Sequence, residues 1–180
     1  MAPRGVQTPP ASWDARWCRI LGADPLAYLL GMMDLIVERA LERDVETIRP
    51  LLAAQLTEHG IGMDDDSLRA AILGLVGHPD RGAILVARMG GEVVGIAVMP
   101  FTWTVEHGGR VAWLDELYVR PDRRGTGIGT KLLEVAIAAA QSEGLRALDL
   151  EVAAEHARVV PLYLRHGFRA LSRERFVKDL

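Results

Sequence analysis

Trp113-Leu-Asp-Glu-Leu-Tyr-Val119-Arg-Pro-Asp-Arg-Arg-Gly-Thr-Gly-Ile-Gly-Thr-Lys131 is the stretch whose reading decides the fold. An apolar, strand-like run turns at Arg120-Pro121 into a loop with two arginines and three glycines. Helical patterning starts at once, in Lys131-Leu-Leu-Glu-Val-Ala-Ile-Ala-Ala-Ala140. A Gly-rich turn at a helix N-terminus offers unpaired N–H groups and the positive end of the helix dipole, which together suit an anion. Gly125, Gly127 and Gly129 tolerate positive φ and let a phosphate approach the backbone, while Arg123 and Arg124 supply charge-assisted donors. The loop is not a phosphate-binding Gly-Lys-Ser/Thr loop, because Thr130 and Lys131 stand in the reverse order. Nor can a Gly-x-Gly-x-x-Gly dinucleotide pattern be read from these three glycines. Motif reading alone leaves an ordinary strand–helix connection as the alternative.

Working outward, 180 residues with 49% hydrophobic and 25% charged composition make a globular chain with enough length for a substantial core. The simplest division is an N-terminal arm over 1–31 and one domain over 32–180. A formal net charge of −3 argues against nucleic acid as a partner. Cys18 is the single cysteine, which excludes an intrachain disulfide and a cysteine zinc site, and no metal is expected. No apolar run reaches the roughly 18 residues of a membrane span, and Pro9-Pro10 and Asp14 break any signal-like core. The expectation is a cytoplasmic protein without a membrane partner; a homodimer is admitted.

Met1–Ser12 reads as an unstructured arm and Trp13–Ile20 as a short added helix. Translation starting at Met32 or Met33 is the alternative for this segment. Leu35–Ala40 is β-prone. Asp44 is placed to cap a helix running to Leu56, in which Pro50 predicts a kink or late start. Asp64-Asp65-Asp66-Ser67 precedes a second helix, Leu68–Val76, stopped by Gly77. Ala83–Ala87 and Val93–Met99 flank Gly90-Gly91, a hairpin signature. Glu106–Arg110 turns the chain into the strand ending at Val119. A helix over 130–142, a strand over 147–153, a helix over 157–165 and a last strand or hairpin over 168–177 complete the order. One mixed, mostly antiparallel α/β sheet with helices on both faces accommodates it, with the ligand site at the switch from meander to crossover.

Three features in order resemble the Gcn5-related N-acetyltransferases, or GNAT proteins, which use acetyl-CoA. Arg124-x-x-Gly127-x-Gly129 after Leu-Tyr-Val resembles their pyrophosphate loop. Glu151-Val-x-x-x-His156-x-Arg-x-x-x-Leu162-Tyr163 resembles the next strand and helix, and Leu162-Tyr-x-x-x-Gly167-Phe168 the close of that helix. The resemblance implies the GNAT fold over roughly residues 35–180, with the fourth and fifth strands splayed into a V. It implies pantetheine of CoA along Leu117, Tyr118 and Val119, and pyrophosphate in the loop Arg124, Gly125, Thr126, Gly127, Ile128, Gly129 and Thr130. His156 stands where the family most often has an asparagine that contacts the cofactor.

Acetyl transfer to an amine requires a deprotonated amine, donors for the developing oxyanion and an acid for the leaving thiolate. By resemblance Tyr163 is that acid. Asp115, Glu116 and Glu151 compete as the base. Strict strand alternation puts Asp115 and Glu116 on opposite faces unless a β-bulge re-aims one; Asp115 shares the parity of Leu117. Glu151 matches a position used as the base in protein-acetylating relatives. His59, His78, His107 and His166 form no ligand spacing and read as surface or turn residues. Asp64–Asp66 either cap a helix or attract a cationic amine. Trp103 and Trp113 either wall an acceptor pocket or fill core. The resulting expectation is acetyl transfer from acetyl-CoA to a primary amine by direct attack on the thioester, a small-molecule acceptor being favoured. Acetylation of a protein N-terminus or lysine is the alternative, and a non-catalytic acyl-CoA-binding domain is a third.

Overall fold

The computed structural model describes residues 35–178, so the expectations for residues 1–31 and for a start at Met32 or Met33 lie outside the described residues. The chain divides at Leu150 into two compact units. The first holds β1 (Ile36–Arg39), α1 (Val45–Glu58), α2 (Asp65–Val76), β2 (Gly82–Met89), β3 (Glu92–Thr104), β4 (Gly109–Trp113), β5 (Glu116–Val119), α3 (Ile128–Ser142) and β6 (Leu148–Asp149). The sheet order is β1-β2-β3-β4-β6, with β5 also on β3. Every pairing is antiparallel except β4 with β6. This is the expected mixed, mostly antiparallel sheet.

Alternation along β2 and β3 sorts the core. Ile84, Val86, Ile96 and Val98, with Tyr118 of β5, meet Ile48 and Leu52 of α1 and Leu68 and Ile72 of α2. The opposite face receives α3, whose Leu132 and Leu133 are fully buried. Contact there is close because Gly95 has no side chain. A Cβ at that position would lie 2.9 Å from the Tyr118 carbonyl oxygen and 3.0 Å from Leu132 Cδ1. At the β2–β3 turn, Gly90 and Gly91 have φ of 60° and 84°, the two consecutive positive values that a tight hairpin twist demands.

The feature that shapes the site lies between β4 and β5. Phe101 pairs with Ala112 on β4, and Val98 with Glu116 on β5. Two residues separate the partners on β3, whereas three separate them on the other strand. That is a one-residue bulge, and it falls at Leu114-Asp115. The Asp115 N–H donates to the Val98 carbonyl at 2.9 Å, while Leu114 donates to the Asp149 carbonyl at 2.7 Å. β6 follows β4 only as far as the bulge, so the strand expected over 147–153 is reduced to Leu148–Asp149. β5 departs from β6 at this point, the start of the splay that the resemblance implied.

Other local readings change. Asp44 does not cap α1; its carboxylate accepts from Leu41 N–H at 2.9 Å and from Arg88 at 2.6 Å. A short 3-10 turn, Glu42–Asp44, leads into the helix, and Asp44 closes that turn instead. α1 is assigned continuously through Pro50, at the cost of one backbone hydrogen bond. Asp64 does cap α2, accepting from Ser67 N–H at 2.9 Å. α3 starts at Ile128 rather than 130.

The second unit carries a 3-10 segment, Ala154–Val159, kinked at His156, then α4 (Val160–Arg165). Gly167, at φ 85°, ends α4, and the Phe168 N–H returns to the Tyr163 carbonyl. The strand or hairpin expected over 168–177 does not form. From Arg169 to Lys178 every residue is exposed and none is in a ladder, because strand propensity without cross-strand partners leaves the backbone to water.

Gly95→Ala should therefore destabilise the protein by about 1–3 kcal/mol through overpacking between β3, β5 and α3. Denaturant unfolding at constant m-value checks it; an unchanged midpoint means that α3 can move away.

Candidate active site

β5 lies antiparallel to β3 and its other edge meets no described strand. Arg120 N–H donates to the Val94 carbonyl at 3.0 Å. Ladder alternation then directs the backbone groups of Tyr118 and Glu116 to β3, and those of Leu117 and Val119 to the open edge. Arg124 reports the same geometry, since its Nε donates to the Val119 carbonyl from that side at 2.9 Å. The open edge thus keeps Leu117 N–H and C=O and Val119 N–H facing away from β3.

The chain then passes through a 3-10 turn, Pro121–Arg123, into the glycine loop. Gly125 and Gly127 have φ of 77° and 88°, and a Cβ on either would meet nothing within 4 Å. Conformation, not crowding, requires glycine there. Gly129 is already helical, and an added Cβ there would meet Val119 Cγ2 at 3.7 Å, an ordinary contact. Lys131 N–H is the first to bond back along the helix, to the Gly127 carbonyl at 3.0 Å. The N–H groups of Ile128, Gly129 and Thr130 precede it without intrahelical partners. These N–H groups and the positive end of α3 form a place suited to an anion.

The loop's arginines are engaged with protein carboxylates. Arg120 pairs with Glu92 at 2.8 Å and Asp122 at 3.0 Å, and these partners raise its pKa. Arg123 lies 3.4 Å from Asp122. Arg124 donates to both Glu58 oxygens, at 2.8 and 2.9 Å, and its guanidinium sits 5.3 Å from the Tyr118 ring centroid. The loop's attraction for an anion therefore rests on backbone N–H groups and the α3 dipole more than on unpaired guanidinium charge.

The bulge removes the parity argument for Asp115 and Glu116. Asp115 is exposed, whereas Glu116 is half-buried and takes a hydrogen bond from Gln55 Nε2 of α1. Burial, followed by repulsion from Asp115, pushes the Glu116 carboxyl up to about 7. Two positions along the same strand face, the hydroxyl of buried Tyr118 lies 3.5 Å from Glu58; burial is the first cause of its raised pKa and Glu58 the second.

Tyr163, Glu151 and His156 belong to the second unit. Tyr163 is half-buried, packs edge-on against Phe168 with ring centroids 5.7 Å apart, and has its pKa raised by burial. Glu151 is exposed and bound to Arg175 at 2.9 Å. His156 sits at the kink of the 3-10 segment.

Of the remaining residues, Trp103 is 77% exposed on β3 and fills no core, whereas Trp113 is half-buried. His107 Nε2 lies 3.2 Å from Asp149, and His166 Nδ1 lies 2.8 Å from the Leu162 carbonyl. Among the described residues no group of three His, Cys, Asp or Glu could hold a metal ion, and no helix is long and apolar enough to cross a membrane. Gln55 and Glu58 were not singled out by motif. Gln55 falls on the buried stripe Val45, Ile48, Leu52 of α1, and a polar side chain on such a stripe is itself a signal.

The Acetyltransferase (GNAT) family model matches residues 33–168. An uncharacterized N-acetyltransferase of Methanocaldococcus jannaschii is 36% identical over 90 residues, covering 49% of this chain and 40% of the relative. The chain thus spans less than half the length of that relative. A mouse thialysine N-epsilon-acetyltransferase is 32% identical over 133 residues, covering 69% of this chain and 76% of the relative. An integron cassette protein from the mobile metagenome of Cole Harbour Salt Marsh superposes with a TM-score of 0.71 at 30% identity, over 80% of this chain and 90% of that one.

A carboxyl raised from 4.5 to about 7 is favoured in its neutral form by the fold. The folded state then binds the extra proton between these values, so the group's destabilising contribution is absent below 4.5 and grows as pH rises through 7. Glu116→Gln should accordingly gain thermal stability relative to the parent above about pH 7, with the gain fading toward about pH 4.5. Paired melting curves across that range check it, and a pH-independent difference counts against the raised value.

Proposed function

The chain belongs to the GNAT family of acetyltransferases, and from that premise we propose that it transfers an acetyl group from acetyl-CoA to the primary amine of a small molecule by direct attack on the thioester. One observation carries the reading. A half-buried carboxyl with a pKa near neutrality stands on the strand whose free edge runs into the N–H-lined loop. The acetyl thioester supplies the electrophile, and this chain's own residues bind it, orient it and move the protons.

Leu117 and Val119 offer edge N–H and C=O groups to the pantetheine amides, as an added strand would take them. Gly125 to Thr130 hold the pyrophosphate, with the positive end of α3 toward it. Glu116 receives the proton of the incoming ammonium. A base with a pKa of about 7 is mostly ionised at slightly alkaline pH and still basic enough to accept a proton, the compromise that general-base catalysis favours. Asp115, being exposed, acts on Glu116 through its charge. Tyr163, kept protonated by burial, gives its proton to the departing thiolate. Glu151 is the less suited base because it is exposed and already engaged by Arg175. The mouse relative, named for acetylating the ε-nitrogen of thialysine, supports an amino-acid-sized amine as acceptor.

The test is a thiol-release screen with acetyl-CoA over small amines, amino acids and peptides. Turnover is expected with one or more small amines, and kcat/KM should rise with pH through an apparent value near 7. Glu116→Gln should lower kcat by about 100-fold or more, within the usual range for a lost general base, leaving CoA affinity near the parent's. Tyr163→Phe should lower kcat in the same selective way. Transfer to peptides alone would reverse the acceptor assignment, and unchanged rates in both variants would remove these residues from catalysis.

A further inference from the structure

Gln55 is a polar side chain in a place built for an apolar one. It is 5% exposed, on the α1 stripe otherwise formed by Val45, Ile48 and Leu52. One half of its amide is explained, since Nε2 donates to Glu116. The other half is not: Oε1 is buried and has no hydrogen-bond partner among the described residues. A buried, unsatisfied carbonyl is costly, and a methionine or leucine of similar size would avoid that cost.

We propose that Gln55 is a positioning residue for the proton-accepting carboxylate, its amide turning over to bond Glu116 in both protonation states. When Glu116 is ionised, Nε2 donates to the carboxylate as the structure shows. When Glu116 carries a proton, a half-turn about the terminal torsion of Gln55 presents Oε1, and the carboxyl O–H donates to it. The amide N and O are nearly isosteric, so the turn displaces no neighbouring atom. The orphaned oxygen is thus the acceptor held ready for the other half of the proton cycle. A fixed donor such as lysine would hold Glu116 ionised, and an apolar residue would leave it protonated.

Among the described residues the charged surroundings of Glu116 are few. Asp115 adjoins Glu116 in the chain and Tyr118 shares its strand face. α1 adds Glu58, one turn beyond Gln55, which Arg124 already binds. β3 opposes Glu116 with Val98, which is apolar. Gln55 is therefore a neutral hydrogen-bonding partner that acts on Glu116 beside burial and the Asp115 charge.

The inference rests on the reading of Glu116 as the base, and the experiment separates the two. The protein is labelled with [δ-13C]glutamate, and Glu116→Gln identifies the Glu116 resonance. Its titration is followed by NMR in the parent and in Gln55→Met, which keeps the length and removes the amide. Both hydrogen bonds are lost, and because the one to the charged form is the stronger, the midpoint should rise by about one pH unit. The acid limb of kcat/KM should move with it, giving about a tenfold loss on that limb and a much smaller one at high pH. Gln55→Glu, which keeps the shape and adds a like charge, should lift one midpoint of the coupled pair above the parent's; it provides the reading if Gln55→Met does not fold. A Glu116 midpoint that stays at the parent's value overturns the role of Gln55, whatever the rates do. A midpoint that moves while the acid limb stays in place supports Gln55 and removes Glu116 as the base.

Discussion

The structure depends on β3 carrying two partners in two registers. Along its first half it holds β5, and along its second half β4; the difference between them is the one residue inserted at Leu114-Asp115. Backbone hydrogen bonds cannot be shifted by a fraction of a residue, so the extra residue has to be expelled as a bulge. The effects of that local event spread through the sheet. β6 loses its neighbour, the far edge of β5 opens, and Glu116 takes the strand face that α1 covers. Tyr118 then lands in the core beside Val98 and Ile96, which anchors the strand it sits on.

The site also shows a division of labour between backbone and side chain. The three arginines nearest the glycine loop each face a carboxylate of this chain, among them Glu92, Asp122 and Glu58. Arg124 in particular joins α1 to the end of β5 through Glu58, the Val119 carbonyl and the Tyr118 ring. Side-chain charge thus serves largely to hold the loop in shape. Donors fixed in the peptide backbone are left for an anion, and they need no rearrangement to act.

How much of this could be read from residues alone depends on the length scale of each signal. The hairpin at Gly90-Gly91 and the loop at Gly125 and Gly127 were legible, because positive φ leaves a residue-type imprint at the position that needs it. The cap at Asp64 was legible for a similar reason. Asp44 looked equally apt, yet Arg88, distant in sequence, drew its carboxylate elsewhere. The bulge left no imprint: Leu-Asp-Glu-Leu reads as plain strand, and only the count of residues on β3 reveals the extra one. Gln55 was hidden because a single polar residue in an apolar stripe gains meaning only when its partner across the fold is known. The charged run after Phe168 resembled a strand in composition and found no ladder to join.

The bulge also sets what kind of sequence change this region tolerates. The side chain of Asp115 faces solvent, so its identity is held loosely by packing. The number of residues between Trp113 and Tyr118 sets the opening of the sheet, because with one fewer β4 and β5 would pair with β3 in a single register and the kink would be lost. Glu116 would still stand opposite Val98 and Tyr118 opposite Ile96, so the core contacts would survive while the splay of β5 from β6 would not. At this point the chain constrains length more than letter: the kink needs one extra residue and not a particular one.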